Sequence, residues 1–160
     1  MADLMTIGYE GAELDDFIAT LRAAGVETLI DVRQAPISRR PGFSKNALRQ
    51  ALTDAGIGYE HLIGLGNPKP GRDAAKAGRR DEFERIFGAH MDTAHFAEHL
   101  RHAAHIALHA RSCLMCYERD VAGCHRRFVA DALAGELGVG QRHLRVRKGA
   151  AGDPRQGNLF

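Results

Sequence analysis

Residues 110–127, ARSCLMCYERDVAGCHRR, constrain the fold of this chain more than any other stretch. A short apolar run, SCLMC, passes directly into Tyr117 and Glu118, and Cys124, His125, Arg126 and Arg127 then open a helical segment, Phe128 to Leu137. An apolar strand that delivers polar side chains to a helix start is how open α/β sheets build anion and substrate sites. Such a site lies outside the carboxyl ends of parallel strands, so further strands are expected to point at the same edge.

The rest of the chain supplies them. Leu4 to Gly8 is apolar and ends in GYEG, and Leu14, Phe17, Ile18 and Leu21 follow at helical spacing. Asp15 and Asp16 favour that helix start through the dipole, and Gly25 stops it. Thr28 to Val32 (TLIDV) reads as a strand covered on both faces, completing a βαβ unit. QAPISRRPGF is a loop closed by Ser44, a candidate N-cap for a helix carrying Leu48 and Leu52, and Ile57 to His61 is a third strand. Leu62 to Arg80 is rich in Gly, Lys, Arg and Pro and reads as a mobile lid or partly helical insertion, too polar to pack.

Asp81 and Glu84 form a capping-box pattern for a short helix with Phe83, Ile86 and Phe87 inward and Gly88 at its end. Thr93 to Ala110 is the longest helical segment. It sets Phe96, Leu100, Ala103, Ala104, Ala107 and Leu108 against a solvated face of His95, His99, His102, His105 and His109. A last strand, His143 to Arg147, alternates as an edge strand does. The expected fold is one α/β domain, residues 1–147, with a mainly parallel sheet of about five strands, helices on both faces and a disordered tail over 148–160.

A length of 160 residues suits one core, and a net charge of +2 is too balanced to argue nucleic-acid binding globally. No apolar run approaches the roughly 20 residues that span a bilayer, and Met1 to Tyr9 lacks the features of a leader, so no membrane partner and a cytoplasmic location are expected. Three cysteines between positions 113 and 124 are not a secreted disulfide framework.

TIGYEG, LIDVRQAPISRR, Phe43 with Ser44 and Lys45, GIGYEHLIGLG, and CYERDVAGCHR followed by ADAL together resemble the domain-of-unknown-function 488 family of small bacterial and archaeal proteins. The resemblance covers about residues 5 to 147 and implies an α/β fold with a polar site shared by these motifs. The closing QGNLF is similar to the bacterial sliding-clamp-binding motif, standing here as Gln156, Leu159 and Phe160.

The expected ligand-binding set is Tyr9 and Glu10 after the first strand, Asp31 and Arg33 at the second, Ser38, Arg39, Arg40 and Phe43 in its loop, and Arg126 at the last helix start. Arginines beside a helix N-terminus make an anion site, best suited to a phosphate of a nucleotide or of DNA. Each residue also has a plainer role. Asp31 and Arg33 can pair to fix the turn, Arg39 and Arg40 can be solvated surface, Glu118 can close its loop, and Tyr9 and Phe43 can cover the crevice.

The thiols admit three readings. Cys124 can be a nucleophile with His125 and Glu118 as catalytic partners; Cys113, Cys116, Cys124 and His125 can bind zinc; or Cys113 lies in the core with Cys116 near Cys124 as free thiols or an oxidisable pair. Strand geometry sets Cys113 and Cys116 on opposite faces and favours the third, so no metal or cofactor is expected. In function, a DNA-repair or DNA-processing factor tethered to the clamp leads. A sulfurtransferase or hydrolase using Cys124, and a non-catalytic nucleotide-binding module, stand beside it.

Overall fold

The computed structural model describes residues 1–152. Five strands, β1 (Leu4–Gly8), β2 (Thr28–Asp31), β3 (Gly58–His61), β4 (Ser112–Cys116) and β5 (Gln141–Leu144), form one sheet in the order β3-β2-β4-β1-β5. Every pairing is parallel. The two central strands, LMTIG and SCLMC, are buried at every position, while the edge strands GYEH and QRHL keep polar side chains toward water. Composition along each strand thus follows its place in the sheet.

The chain steps from β1 to β2 and β3 toward one edge, through α1 (Leu14–Ala23) and α2 (Lys45–Asp54). It then reverses, entering β4 through α3 (Lys69–Lys76), α4 (Arg80–Met91) and α5 (Ala94–His109), and β5 through α6 (Arg126–Leu137). Since parallel crossovers keep one hand, the reversal puts the two helix sets on opposite faces. Two cores result. Phe17, Leu21, Leu48 and Leu52 pack with Met5, Ile7, Leu29, Cys113 and Met115; Phe83, Phe87, Phe96, Ala103 and Leu133 pack with Leu4, Ile30, Leu114 and Cys116.

The segment 62–80 packs instead of forming a mobile lid. It contains a 3-10 turn, Ile63–Leu65, and α3, and buries Leu62, Leu65 and Ala74 against Phe83, Phe87 and Phe96. Its few apolar side chains share one side, which is enough to dock it despite its polar composition. His90 Nε2 donates to the Gly64 carbonyl, and His99 Nδ1 accepts from the Gly64 N–H, both at 2.7 Å. His99 is therefore drawn out of the expected solvated face. Leu108, expected on the apolar side, is 60% exposed.

Other boundaries move for identifiable reasons. α4 runs through Gly88 to Met91, and Arg79, not Asp81, occupies its N-cap without a side-chain cap. A mid-helix glycine costs about 1 kcal/mol, less than the burial of Phe83 and Phe87 returns. Ser44 stands at the N-cap of α2, but its hydroxyl accepts from Ser38 N–H and donates to the Ser38 carbonyl, closing the preceding loop. β5 ends at Leu144.

Order also extends beyond residue 147. The Asp16 carboxylate accepts the backbone N–H groups of Gly149 and Ala151, each at 2.9 Å, and Ala150 is buried in a 3-10 turn, Ala150–Gly152. QGNLF lies outside the described residues. Among the described residues no helix is long and apolar enough to cross a membrane.

Candidate functional site

β1 and β4 lie side by side, yet their outgoing connections leave toward opposite edges and opposite faces. This is a topological switch point, where open α/β sheets leave a crevice beyond the strand ends. Gly8, Tyr9 and Glu10 arrive from β1; Cys116, Tyr117 and Glu118 arrive from β4. The β4 loop is laced across the end of β1. Tyr9 N–H donates to Cys116 O, Glu10 N–H to Tyr117 O, and Arg119 N–H to the Glu10 carboxylate. A Cβ at Gly8 would overlap the Glu118 carbonyl and come 2.8 Å from an Arg126 guanidinium nitrogen, so the crossing requires glycine there.

Asp120 then caps a 3-10 turn, Val121–Gly123, by accepting from Ala122 N–H at 3.0 Å, and the chain returns as Cys124 and His125 at the start of α6. The Sγ atoms of Cys116 and Cys124 are in contact, across Cα positions 7.5 Å apart. One ligand-type atom each from Cys116, Glu118 and Cys124 lies within 4.8 Å of the others, a grouping able to hold a metal ion. Cys113 faces the opposite core as a free thiol, its pKa pushed up by burial. The four-ligand zinc set of Cys113, Cys116, Cys124 and His125 is therefore not assembled.

Arg126 is 1% exposed, an unusual place for a guanidinium. It donates to the Glu118 carbonyl at 2.9 Å and lies 3.5 Å from Cys116 Sγ, while its Nε has no partner. No carboxylate lies within ion-pair distance of it among the described residues, and burial lowers its pKa. Burial raises the pKa of Glu118. His125 is pushed down to about 4 by burial, so it is neutral at pH 7. Its Nε2 donates to Val32 O at 2.7 Å, leaving Nδ1 an acceptor 3.7 Å from Cys124 Sγ. A histidine of such lowered basicity is a weak proton acceptor for that thiol.

Arg33 and Asp31 form a second, closed cluster at the same edge. The Asp31 carboxylate accepts from Arg33 Nε and NH2, from the Arg33 backbone N–H and from Tyr59 Oη, at 2.6 to 3.2 Å. Arg33 NH1 donates to Tyr9 Oη and Phe43 O. Burial pulls the Arg33 pKa down, but the Asp31 carboxylate more than reverses this; burial and the same carboxylate push Tyr59 up. Tyr9 stacks on Phe43 with ring centroids 4.5 Å apart, and both rings are buried.

The expected residues thus fall into three groups. Glu10, Glu118, Cys124, His125 and Arg126 meet at the switch point; Tyr9, Asp31, Arg33 and Phe43 brace one another; Ser38 closes its loop, and Arg40 bonds Ala12 O and Glu13. Arg39 is exposed and makes no ion pair among the described residues. Gly8, Tyr59, Tyr117 and Arg119 are missing from the expected set, while Cys116 enters only through the thiol readings, whose third form, with Cys113 in a core and Cys116 near Cys124, matches the structure. Of the four missing residues only Gly8 carries a sequence signal, a glycine closing an apolar strand. A concavity of about 250 Å³ lies at the opposite end of the sheet, lined in part by Leu4, Ala107, Leu108, Leu137 and Val139. Asp3, Glu27, His109, Arg111 and Ser112 also line it, and Arg111 is bonded to Glu27 and to the Gly25 carbonyl.

No curated protein and no solved structure matches the chain. A family model does, over residues 13–133, a span that holds the second-strand turn, the β4 strand, Glu118 and the start of α6. The chain belongs to the family described as domain of unknown function DUF488.

Proposed function

We propose that this protein binds a phosphate-bearing ligand, a nucleotide or DNA, in the crevice between the carboxyl ends of β1 and β4. Its role is that of a DNA-repair or DNA-processing factor tethered to the sliding clamp by QGNLF. The observation that carries the reading is the switch point itself, with the start of α6 and the buried Arg126 guanidinium beside the ends of β1 and β4. Arg33, Arg40 and Arg126 are engaged within the protein. Arg39, Arg119 and Lys76 are exposed side chains that make no ion pair among the described residues and are the cations we assign to a ligand; Lys76 acts through space on Glu118. Few free cations imply modest intrinsic affinity, which a clamp tether would offset by raising local concentration.

The test is a fluorescence-anisotropy titration of a labelled single-stranded oligonucleotide at two salt concentrations, repeated with Arg119→Ala, Lys76→Ala and Arg39→Ala. Binding should weaken with salt, and each substitution should lower the salt slope by about one ion. No salt-dependent binding of oligonucleotide or nucleotide, or variants that bind as the wild type does, would sink the reading. The tether has its own test: wild-type protein should retain the clamp in a pull-down, and replacing Leu159 and Phe160 by Ala should abolish it. A wild type that retains no clamp removes the tether.

A further inference from the structure

We propose that Cys116, Glu118 and Cys124 bind one divalent, borderline-soft cation of the zinc class, with a fourth coordination position left to water or substrate. This site does not depend on the phosphate reading. Its spacing is Cys-x-Glu followed by a capped turn that returns Cys124. Cys116 and Glu118, two apart, project to the α6 side of the sheet, and the 3-10 turn held by Asp120 brings Cys124 back against them.

Three observations converge. First, the Cα atoms of Cys116 and Cys124 are 7.5 Å apart, wider than the roughly 4.4–6.8 Å that a disulfide spans. Two sulfurs bound to one tetrahedral zinc at about 2.3 Å sit about 3.8 Å apart, so the Sγ atoms, which lie in contact, must swing apart to seat the ion, and the wide backbone separation allows it. Second, the Glu118 carboxylate is 3.5 Å from Cys116 Sγ and within 4.8 Å of Cys124 Sγ, a hard oxygen ligand placed beside two soft ones.

Third, Arg126 is buried with its Nε unpartnered and no ion-paired carboxylate, and one of its terminal nitrogens lies 3.5 Å from Cys116 Sγ. A buried guanidinium calls for negative charge close by. Two thiolates and a carboxylate carry three negative charges, a divalent cation leaves one, and Arg126 balances it. The Arg126 backbone N–H also points at Cys124 Sγ at 3.4 Å from the first turn of α6, where the helix dipole favours a thiolate.

The experiment uses the full-length protein, reduced, stripped with a chelator and titrated anaerobically with cobalt(II) chloride. The expected result is a thiolate-to-cobalt charge-transfer band with tetrahedral ligand-field bands, saturating at one equivalent and displaced by zinc. Cys116→Ser and Cys124→Ser should each lose the charge-transfer intensity, Cys113→Ser should keep it, and Glu118→Gln should keep the band while raising the dissociation constant at least tenfold. Far-UV circular dichroism of each variant separates ligand loss from unfolding, and the wild-type titration stands without any variant. A reduced wild type with no saturable thiolate band overturns the site. So does a band that survives in Cys116→Ser and Cys124→Ser, a band lost in a folded Cys113→Ser, or an unchanged affinity in Glu118→Gln.

Discussion

Two guanidinium groups at one sheet edge play opposite parts. Arg33 is spent on Asp31, Tyr9 and the Phe43 carbonyl, so its contribution is to hold the turn after β2. Removing its side chain leaves the Asp31 carboxylate buried with no cation, accepting only from Tyr59 Oη and the backbone N–H of residue 33 among the described residues. Arg33→Ala should therefore cost about 3–5 kcal/mol in urea unfolding, whereas Arg39→Ala, at an exposed residue, should stay within about 0.5 kcal/mol. Equal costs at the two positions would contradict the division between a structural and a free arginine. Gly8 makes a similar residue-level point, since any side chain there meets backbone, not a flexible neighbour. Gly8→Ala should destabilise by about 1–3 kcal/mol and move the amide resonances of residues 117–119. A variant as stable as the wild type, with those resonances unmoved, would mean that the crossing does not need glycine.

At the scale of elements, the strands and their faces could be read from pattern, because continuous apolar runs mark central parallel strands and residue parity assigns Cys113 and Cys116 to opposite cores. What pattern could not give was docking that depends on a few scattered contacts. The insertion 62–80 packs because Leu62, Leu65 and Ala74 align and two histidines hold Gly64; the segment after 147 is ordered because one carboxylate on α1 accepts two of its amides. Neither leaves a periodic signature. The Asp16 contact also sets a pH dependence. Its pKa is lowered, chiefly by the Ala151 and Gly149 N–H groups, so the folded state holds the charged form more strongly than the unfolded chain does. Docking is complete above the ordinary carboxylate range and is lost as pH falls through the lowered value. Hydrogen exchange should show the Gly149 and Ala151 amides protected at pH 6 and unprotected well below the normal aspartate pKa, and Asp16→Asn should weaken that protection at pH 6. Protection that is indifferent to pH and to Asp16→Asn would contradict the contact.

For the whole molecule, the reversal of strand order places one site between β1 and β4, and everything proposed about function rests on that topology. The candidate site was partly legible: the stretch 110–127 announced a polar group at a helix start, and Glu10, Glu118, Cys124, His125 and Arg126 do assemble. The Asp31–Arg33 pairing is among the plainer readings of the sequence, but the partners that close the brace, Tyr9, Tyr59 and the Phe43 carbonyl, come from segments far apart in sequence and leave no pattern. Cys116 was set aside for the same reason, since its nearness to Glu118 depends on how the loop crosses β1. The most direct test of the central claim is a heteronuclear NMR titration of the full-length protein with a mononucleotide and with a short single-stranded DNA, following backbone amides. Shifts concentrated at residues 8–11, 117–120 and 124–127 are the predicted result; shifts concentrated at the opposite edge around residues 107–112, or none at millimolar ligand, would contradict it.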